Sequence, residues 1–195
     1  MNHSSEEIKK STAKELWDTV KFILLAALIV IPIRMFIFQP FIVSGESMYP
    51  TFNNADYLIV DEFSYHFKDP KRGDVIIFKY PNDPKRYFIK RVIGLPGETV
   101  VFKDHGVYIK NTDNPDGVKL SEPYLKQITI PGEKTEINVT SGHYFVMGDN
   151  RGFSSDSRAW GLLPESNITG TAGLRLFPLK SISYKPGSLQ KFEDK

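Results

Sequence analysis

The chain has 195 residues, of which 41% are hydrophobic and 13% aromatic, and its formal net charge is +2. This length suffices for one substantial domain and an additional segment, and the charge, without a basic tract between aromatic residues, indicates no nucleic-acid partner. The absence of cysteine excludes a thiol nucleophile, a thiolate metal site and disulfides. No metal and no other cofactor is predicted, because metal-ligand spacing is lacking among His3, His66, His105 and His143.

The N-terminal part of the chain predicts a membrane anchor. Residues 1–16 are polar and are predicted to be a cytoplasmic tail, whereas residues 17–38 are almost wholly apolar. A helix over 17–38 would span roughly 33 Å, about the thickness of one hydrocarbon core. Basic residues precede it at Lys9, Lys10 and Lys14, and Lys21 lies near its N-terminal end. The positive-inside rule therefore predicts a single pass through a membrane, with the N-terminus in the cytoplasm and the rest of the chain outside.

Two other interpretations of this apolar segment are weaker. A cleaved secretory signal would have a shorter apolar core and a small-x-small site after it. A buried helix of a soluble protein would not be apolar on all faces with basic residues on one side only.

From residue 39 to 182 the pattern predicts one extracytoplasmic catalytic domain of β structure. Short β-branched and aromatic runs alternate with turns that contain Gly and Pro. The predicted strands are Phe41–Val43, Tyr57–Asp61, Asp74–Lys79, Tyr87–Ile93, Thr99–Lys103, Gly106–Lys110, Thr135–Val139, His143–Met147 and Ile168–Phe177. Such a series predicts a mainly β fold with a barrel-like coiled sheet. We expect a small inserted β subdomain at about 103–141 and a loose C-terminal tail at 183–195.

Ser47 is the first candidate for chemistry. It lies in the run Ser-Gly-Glu-Ser-Met-Tyr-Pro-Thr at 44–51, a few residues after the apolar segment. Gly45 permits unusual backbone angles and Pro50 restricts the residue before it, so the run predicts a tight loop that exposes a hydroxyl. A serine nucleophile needs a base, and no histidine here has an aspartate in a recognisable triad pattern.

Lys90 is the alternative base. It shares one face of a predicted strand with Phe88 and Val92, and burial there would lower its pKa from about 10.4 toward neutrality. Most strand lysines are exposed, however, and Lys90 taken alone is more typical of an edge-strand lysine that prevents aggregation. A polar run at 148–158 predicts either a solvated loop or a set of hydroxyls and Asp–Arg pairs that orient the lysine.

Together these runs resemble the bacterial type I signal peptidase (leader peptidase) family. Residues 44–51 match Ser-Gly-x-Ser-Met-x-Pro-Thr, 72–75 match a short strand-entry motif (Arg-Gly-Asp-Val), 90–98 match the run with the general base, and 148–158 match Gly-Asp-Asn-Arg-x-x-Ser-x-Asp-Ser-Arg. Their order, their spacing and the apolar segment upstream all agree, over about residues 17–178. The single anchor and small size resemble the Gram-positive members of the family.

The resemblance implies a membrane-bound serine endopeptidase that removes signal peptides from exported preproteins after a small-x-small pattern. Ser47 would be the nucleophile and Lys90 the general base, and the reaction would pass through an acyl-enzyme. The Ser47 N–H would stabilise the oxyanion, whereas Gly45 stands where some relatives have a serine hydroxyl. The implied supporting residues are Ser154, which would orient Lys90, Asp156 and Arg158 in the loop, and a pairing of Asp149 with Arg91.

The implied partners are the signal peptides of preproteins and the lipid bilayer. An extended peptide is expected to lie beside Phe41–Val43 by strand addition, in contact with Phe41, Ile42, Val43 and Met48. Two alternatives remain. The N-terminal span argues against a different, self-cleaving Ser/Lys protease, and the presence of both Ser47 and Lys90 argues against a membrane-tethered non-catalytic β module or inactive paralogue.

Overall fold

The structure, a computed structural model, describes residues 3–36, 38–126 and 135–188. It divides into two compact units, residues 1–39 and 40–195. The first unit contains helix α1, His3–Phe36. The segment predicted as a polar tail is therefore helical from His3, and three Lys and three Glu, both good helix formers, are among its residues. Within the described residues, no helix combines the length and the hydropathy needed to cross a membrane.

The rest of the chain is mainly β, as predicted. Its strands are β1 (Phe38–Ile42), β2 (Tyr57–Asp61), β3 (Val75–Tyr80), β4 (Asp83–Gly94), β5 (Thr99–Lys103), β6 (Gly106–Lys110), β7 (Val118–Lys119), β8 (Thr135–Asn138), β9 (His143–Met147), β10 (Leu163–Pro164), β11 (Ile168–Phe177) and β12 (Ser183–Tyr184). A short helix, α2, spans Ser157–Trp160. Every predicted strand overlaps one of these. Strands β7, β10 and β12 have two residues each, too few for an alternating pattern to be recognised in the sequence.

Strand β4 positions the candidate site within the larger sheet. Among the described residues this sheet has the order β1-β2-β11-β3-β4-β9-β10, with β12 paired to β11. Strand β4 pairs with β3 from Asp83 to Arg91, but its pairing with β9 begins only at Arg91. The residues of β4 before Arg91 are therefore not paired with β9, and this edge of the strand is uncovered. Lys90 is the last residue of the uncovered edge.

A second sheet, in the order β7-β6-β5-β8, contains the segment predicted as an inserted subdomain. Its first strand begins at Thr99, earlier than the predicted boundary near 103. Val100, Phe102 and other apolar side chains of this sheet join Phe145 and Met147 of β9 in one buried cluster. The two sheets therefore share a core.

The segment predicted as a loose C-terminal tail is ordered in its first part. Strand β12 pairs with β11, and the carbonyl oxygen of Gly187 accepts a hydrogen bond of 2.5 Å from Arg91 Nη1. This part of the tail therefore contacts a buried side chain of β4. Residues 189–195 of the predicted tail lie outside the described residues.

Candidate active site

The loop that carries Ser47 is held in place by buried neighbours. Met48 and Phe52 are 1% and 0% exposed and pack in the core under the loop. Gly45 has a φ of +94°, in the region that glycine adopts most readily, and its N–H donates to Asn54 Oδ1 at 2.9 Å. This anchoring leaves Ser47 half-buried at the surface of the second unit.

Lys90 is buried, at 4% exposure, and is not the exposed lysine that its strand alone indicates. Its Nζ lies 2.7 Å from Ser47 Oγ and 2.8 Å from the carbonyl oxygen of Ile89. Burial lowers the pKa of Lys90 to about 8, against the opposing effect of the negative charges of Asp156 and Asp149. A lysine with this pKa has a substantial neutral fraction near physiological pH, and the neutral form can accept a proton from the serine.

Asp156 and Arg158 form an ion pair in the loop after β9. Arg158 Nε and Nη2 each lie 2.8 Å from a carboxylate oxygen of Asp156, and the Gly148 N–H donates to Asp156 Oδ2 at 3.0 Å. Burial raises the pKa of Asp156, but the hydrogen bond and charge of Arg158, assisted by Gly148 and Ser154, lower it below its ordinary value. Asp156 is therefore a fixed negative charge whose field reaches Lys90.

The hydrogen bond expected between Ser154 and Lys90 is absent. Ser154 Oγ is buried and has no partner in hydrogen-bond geometry, although it is close enough to Asp156 to help lower the pKa of that carboxylate. The backbone of Gly148 explains the close packing, because a Cβ on Gly148 would lie 2.2 Å from Ser154 Oγ. Ser154 therefore fills the space that a side chain at position 148 would need.

Arg91, the next residue on β4, pairs with Asp149 in a bidentate geometry. The Nε–Oδ1 distance is 2.8 Å and the Nη2–Oδ2 distance is 2.6 Å, and the two side chains are 0% and 1% exposed. Arg91 Nη1 also donates to the carbonyl oxygens of Gly73 and Gly187, and its guanidinium lies 4.0 Å from the ring centroid of Tyr124. The pair thus joins β4, the loop after β9 and the C-terminal segment.

We predict that Asp149→Ala destabilises the fold by about 3–5 kcal/mol, because it leaves the Arg91 guanidinium buried without a counter-charge. Denaturant unfolding of the full chain in detergent, followed by near-UV circular dichroism, measures this loss. The matched control is Asp113→Ala at an exposed position, which should change the free energy of unfolding by less than about 0.5 kcal/mol. A loss below about 1 kcal/mol for Asp149→Ala would contradict the structural role of the pair.

A groove of about 500 Å³ leads to Ser47 and Lys90. Three of the four residues predicted to contact substrate, Phe41, Ile42 and Val43, line it. Met48 does not, because its side chain fills the core, and the prediction for Met48 is corrected accordingly. The lining that the sequence analysis did not single out includes Leu58, Ile77, Arg86, Tyr87, Phe88, Ile89, Phe153 and Ser155. The groove is thus an apolar channel between β1 and the uncovered edge of β4.

Residues 16–177 match the family described as "Signal peptidase, peptidase S26". The chain belongs to this family. The match favours a signal peptidase over the two alternatives that the sequence left, a self-cleaving Ser/Lys protease and a non-catalytic module. It confirms the predicted family and enzyme class.

Individual relatives agree with the family match. Signal peptidase I T of Bacillus subtilis is 36% identical over 191 residues, which cover 93% of this chain and 95% of that protein. A signal peptidase I of Bacillus licheniformis is 38% identical and covers 89% of this chain and 96% of its own. A signal peptidase I crystal structure from Enterococcus faecalis is 35% identical, with a TM-score of 0.45 over 53% of this chain and 97% of that one. The family assignment does not depend on that structural alignment.

In this signal peptidase-family chain, further residues hold the two loops of the site together. The Asn150 N–H donates to the Ser47 carbonyl oxygen at 3.0 Å, and Asn150 Nδ2 donates to the Glu46 carbonyl oxygen at 3.1 Å. Arg151, buried in the same loop, forms an ion pair with Glu122, which follows β7. No local pattern identifies Glu122, because its partner lies 29 positions later in the chain.

No cofactor site is evident in the part of the chain that the structure describes. Within residues 3–36, 38–126 and 135–188, no group of three or more His, Asp or Glu side chains is placed to hold a metal ion.

Proposed function

We propose that Ser47 and Lys90 are the catalytic dyad with which this chain, a signal peptidase-family serine peptidase, removes signal peptides from exported preproteins. The observation that supports the dyad most directly is the 2.7 Å contact between a buried lysine amine and Ser47 Oγ at the end of an apolar groove. Among the described residues that line this groove there is no histidine, which supports the lysine as the base.

The first step is proton transfer from Ser47 to neutral Lys90. In the neutral amine the nitrogen lone pair accepts the Ser47 O–H, while one of its own N–H groups donates to the Ile89 carbonyl oxygen at 2.8 Å. These two hydrogen bonds orient the lone pair toward the serine. Ser47 Oγ then attacks the carbonyl carbon of the scissile peptide bond, and its proton moves to Lys90 Nζ.

The second half of the reaction returns the proton. Lys90 gives it to the leaving nitrogen of the mature chain, and the carboxyl end of the signal peptide stays on Ser47 as an ester. Lys90 then takes a proton from water, and the hydroxide attacks the ester carbonyl. As the bond to Ser47 Oγ breaks, Lys90 returns that proton to Ser47 and the signal peptide leaves with a free carboxylate. We propose the Ser47 N–H as one oxyanion donor; Gly45 contributes no hydroxyl, and its own N–H is already bonded to Asn54.

The signal peptide is proposed to bind extended in the groove. Strand β1 is the first strand in the sheet order, and β4 is not covered by β9 before Arg91, so both strands offer backbone groups for strand addition. In an extended peptide, the first and third residues before the scissile bond point to the same side. We propose that apolar lining residues such as Ile77 and Ile89 face these two side chains and select small ones, as a small-x-small pattern requires.

Asp156, Arg158, Asp149, Arg91 and Ser154 are proposed to support the dyad without touching the substrate. Their ion pairs and packing fix the loop at 148–158, whose backbone is hydrogen-bonded to the Ser47 loop through Asn150. The negative charges of Asp156 and Asp149 also raise the pKa of Lys90, so that it falls less than burial alone would lower it.

We also propose that α1 anchors the chain in the cell membrane, with the N-terminus in the cytoplasm. Large apolar side chains around this helix are more than half exposed, a surface that a lipid bilayer would cover. They include Trp17, Phe22, Ile23, Leu24, Leu25, Leu28, Ile29 and Val30. Release of the full-length chain from membranes by an alkaline wash would contradict this anchor.

The pH dependence of cleavage tests the base. Because Lys90 must be neutral and its pKa is about 8, we expect kcat/KM to rise about tenfold per pH unit below pH 8 and to level off above it. At pH 7 only about one tenth of the enzyme would carry the neutral amine. The measurement is cleavage of one preprotein in detergent between about pH 6 and pH 10. A rise centred near pH 6.5 would point to a histidine base and sink the assignment of Lys90.

A further inference from the structure

A second groove, of about 560 Å³, lies next to the groove that we assign to the signal peptide. Four of its eight lining residues are charged, against three of the sixteen that line the first groove. The residues of the lining are Glu46, Tyr49, Lys126, Asp149, Asn150, Arg151, Gly152 and Phe153. The proposed function assigns no role to this second groove.

The two grooves meet at Ser47. Glu46 and Phe153 line both of them, and they lie on the two loops that Asn150 joins. Along the chain, residues 44–47 line the first groove and Tyr49 lines the second, so the Ser47 loop passes from one to the other. Phe153, 81% exposed, forms part of the wall that they share. A peptide that passes Ser47 from the first groove therefore continues into the second.

Two charged residues of the second groove are already in ion pairs, Asp149 with Arg91 and Arg151 with Glu122. Lys126 is exposed; its Nζ donates to Tyr49 Oη at 2.6 Å and lies 4.5 Å from the centroid of the same ring.

The contact of Lys126 with Tyr49 is a hydrogen bond and not an ion pair. No carboxylate among the described residues forms an ion pair with Lys126. The other charge without an ion pair in the described part of this lining is the carboxylate of Glu46, at the junction beside Ser47.

We propose that the second groove binds the first residues of the mature chain, and that Lys126, positioned by Tyr49, favours an acidic side chain there. The proposal rests on the proposed function, because it takes cleavage at Ser47 as given. The first groove has the larger set of apolar lining side chains and is the one assigned to the signal peptide, so the second groove receives the chain after the scissile bond. Glu46 at the junction would repel an acid directly after the scissile bond, so the preferred acid lies at the second or a later residue.

The test measures kcat/KM for matched preproteins that carry Glu, Gln or Lys at the second, third or fourth residue after the scissile bond. We expect the full-length enzyme in detergent to cleave the Glu substrate about three- to fivefold faster than the Lys substrate at one of these positions, as for an exposed ion pair. Lys126→Glu should reverse this ratio, and Lys126→Gln should bring it close to one. Raising the salt concentration to about 0.5 M should reduce the wild-type ratio, because exposed charges are screened.

The matched control is Lys180→Glu, which makes the same change in net charge at an exposed residue that lines neither groove. It should keep the wild-type ratio. The proposal is overturned if the wild type shows no charge preference at any of the three positions, or if Lys126→Glu keeps the wild-type ratio. A wrong assignment of the dyad would give a different result: a variant without Ser47 would still cleave every substrate.

Discussion

Ser47→Ala abolishes preprotein cleavage, with an expected loss in kcat of at least about 10⁴-fold, because it removes the hydroxyl that is hydrogen-bonded to Lys90 Nζ. The substitution removes one half-buried oxygen and leaves the buried side chains of Met48 and Phe52 that hold the loop. We therefore expect the variant to fold and to remain in the membrane fraction. Cleavage of one preprotein, measured with equal amounts of folded enzyme, gives the rate.

Two controls make this result specific. Ser141→Ala changes an exposed serine outside both grooves and should retain the wild-type rate. A wild-type enzyme quenched during turnover should contain a fraction of chains esterified at Ser47, detectable by mass spectrometry. Retention of more than about 1% of the wild-type rate in Ser47→Ala would remove Ser47 as the nucleophile.

Lys90→Arg is also expected to be inactive at every pH from about 6 to 10, because a guanidinium remains protonated throughout this range. The reason for the effect is the loss of a lone pair, not the loss of a positive charge. Arginine is larger and its charge cannot be neutralised, so the variant could fail for structural reasons alone. Lys90→Met provides the second arm, since it has a similar length, is neutral and suits a site that is 4% exposed.

Both Lys90 variants should lose about 10⁴-fold or more in kcat, and Lys90→Met should unfold at no lower a denaturant concentration than the wild type. The latter follows because burial already disfavours the charged amine, as the lowered pKa of Lys90 indicates. Lys79→Arg, on the neighbouring strand and exposed, is the matched control and should behave as the wild type. Substantial cleavage by Lys90→Met, at any pH, would show that another group acts as the base.

Most of the β structure was predictable because its signals are local. Alternating apolar residues and turn residues define strands such as β5 and β6 within a few positions of each other. Two-residue strands such as β10 exist because another strand lies beside them, here β9. The start of α1 at His3 was missed because the apolar run dominated the interpretation of the N-terminal part, although the residues before it are good helix formers.

The candidate site was predictable in its residue types and less so in its contacts. Phe41, Ile42 and Val43 line the groove, but Met48, in the same motif as Ser47, turns inward, because a loop residue next to an exposed hydroxyl must anchor the loop. Ser154 is near the dyad but bonds to neither member, because it fills the space beside Gly148. Glu122, Tyr124 and Lys126 lie in a segment without a distinctive motif, and only their long-range partners give them a role.

The sequence by itself determined which groups are present: a serine in a glycine-containing loop, a lysine on an apolar strand, a polar loop with two aspartates and two arginines, and an apolar segment before them. Only the tertiary structure decided that Lys90 is buried and 2.7 Å from Ser47 Oγ, and thus that its pKa lies near 8. The reason is physical. The identity of a side chain is a local property, whereas its solvation and its partners depend on segments far apart in the chain, here residues 47, 90 and 149–156.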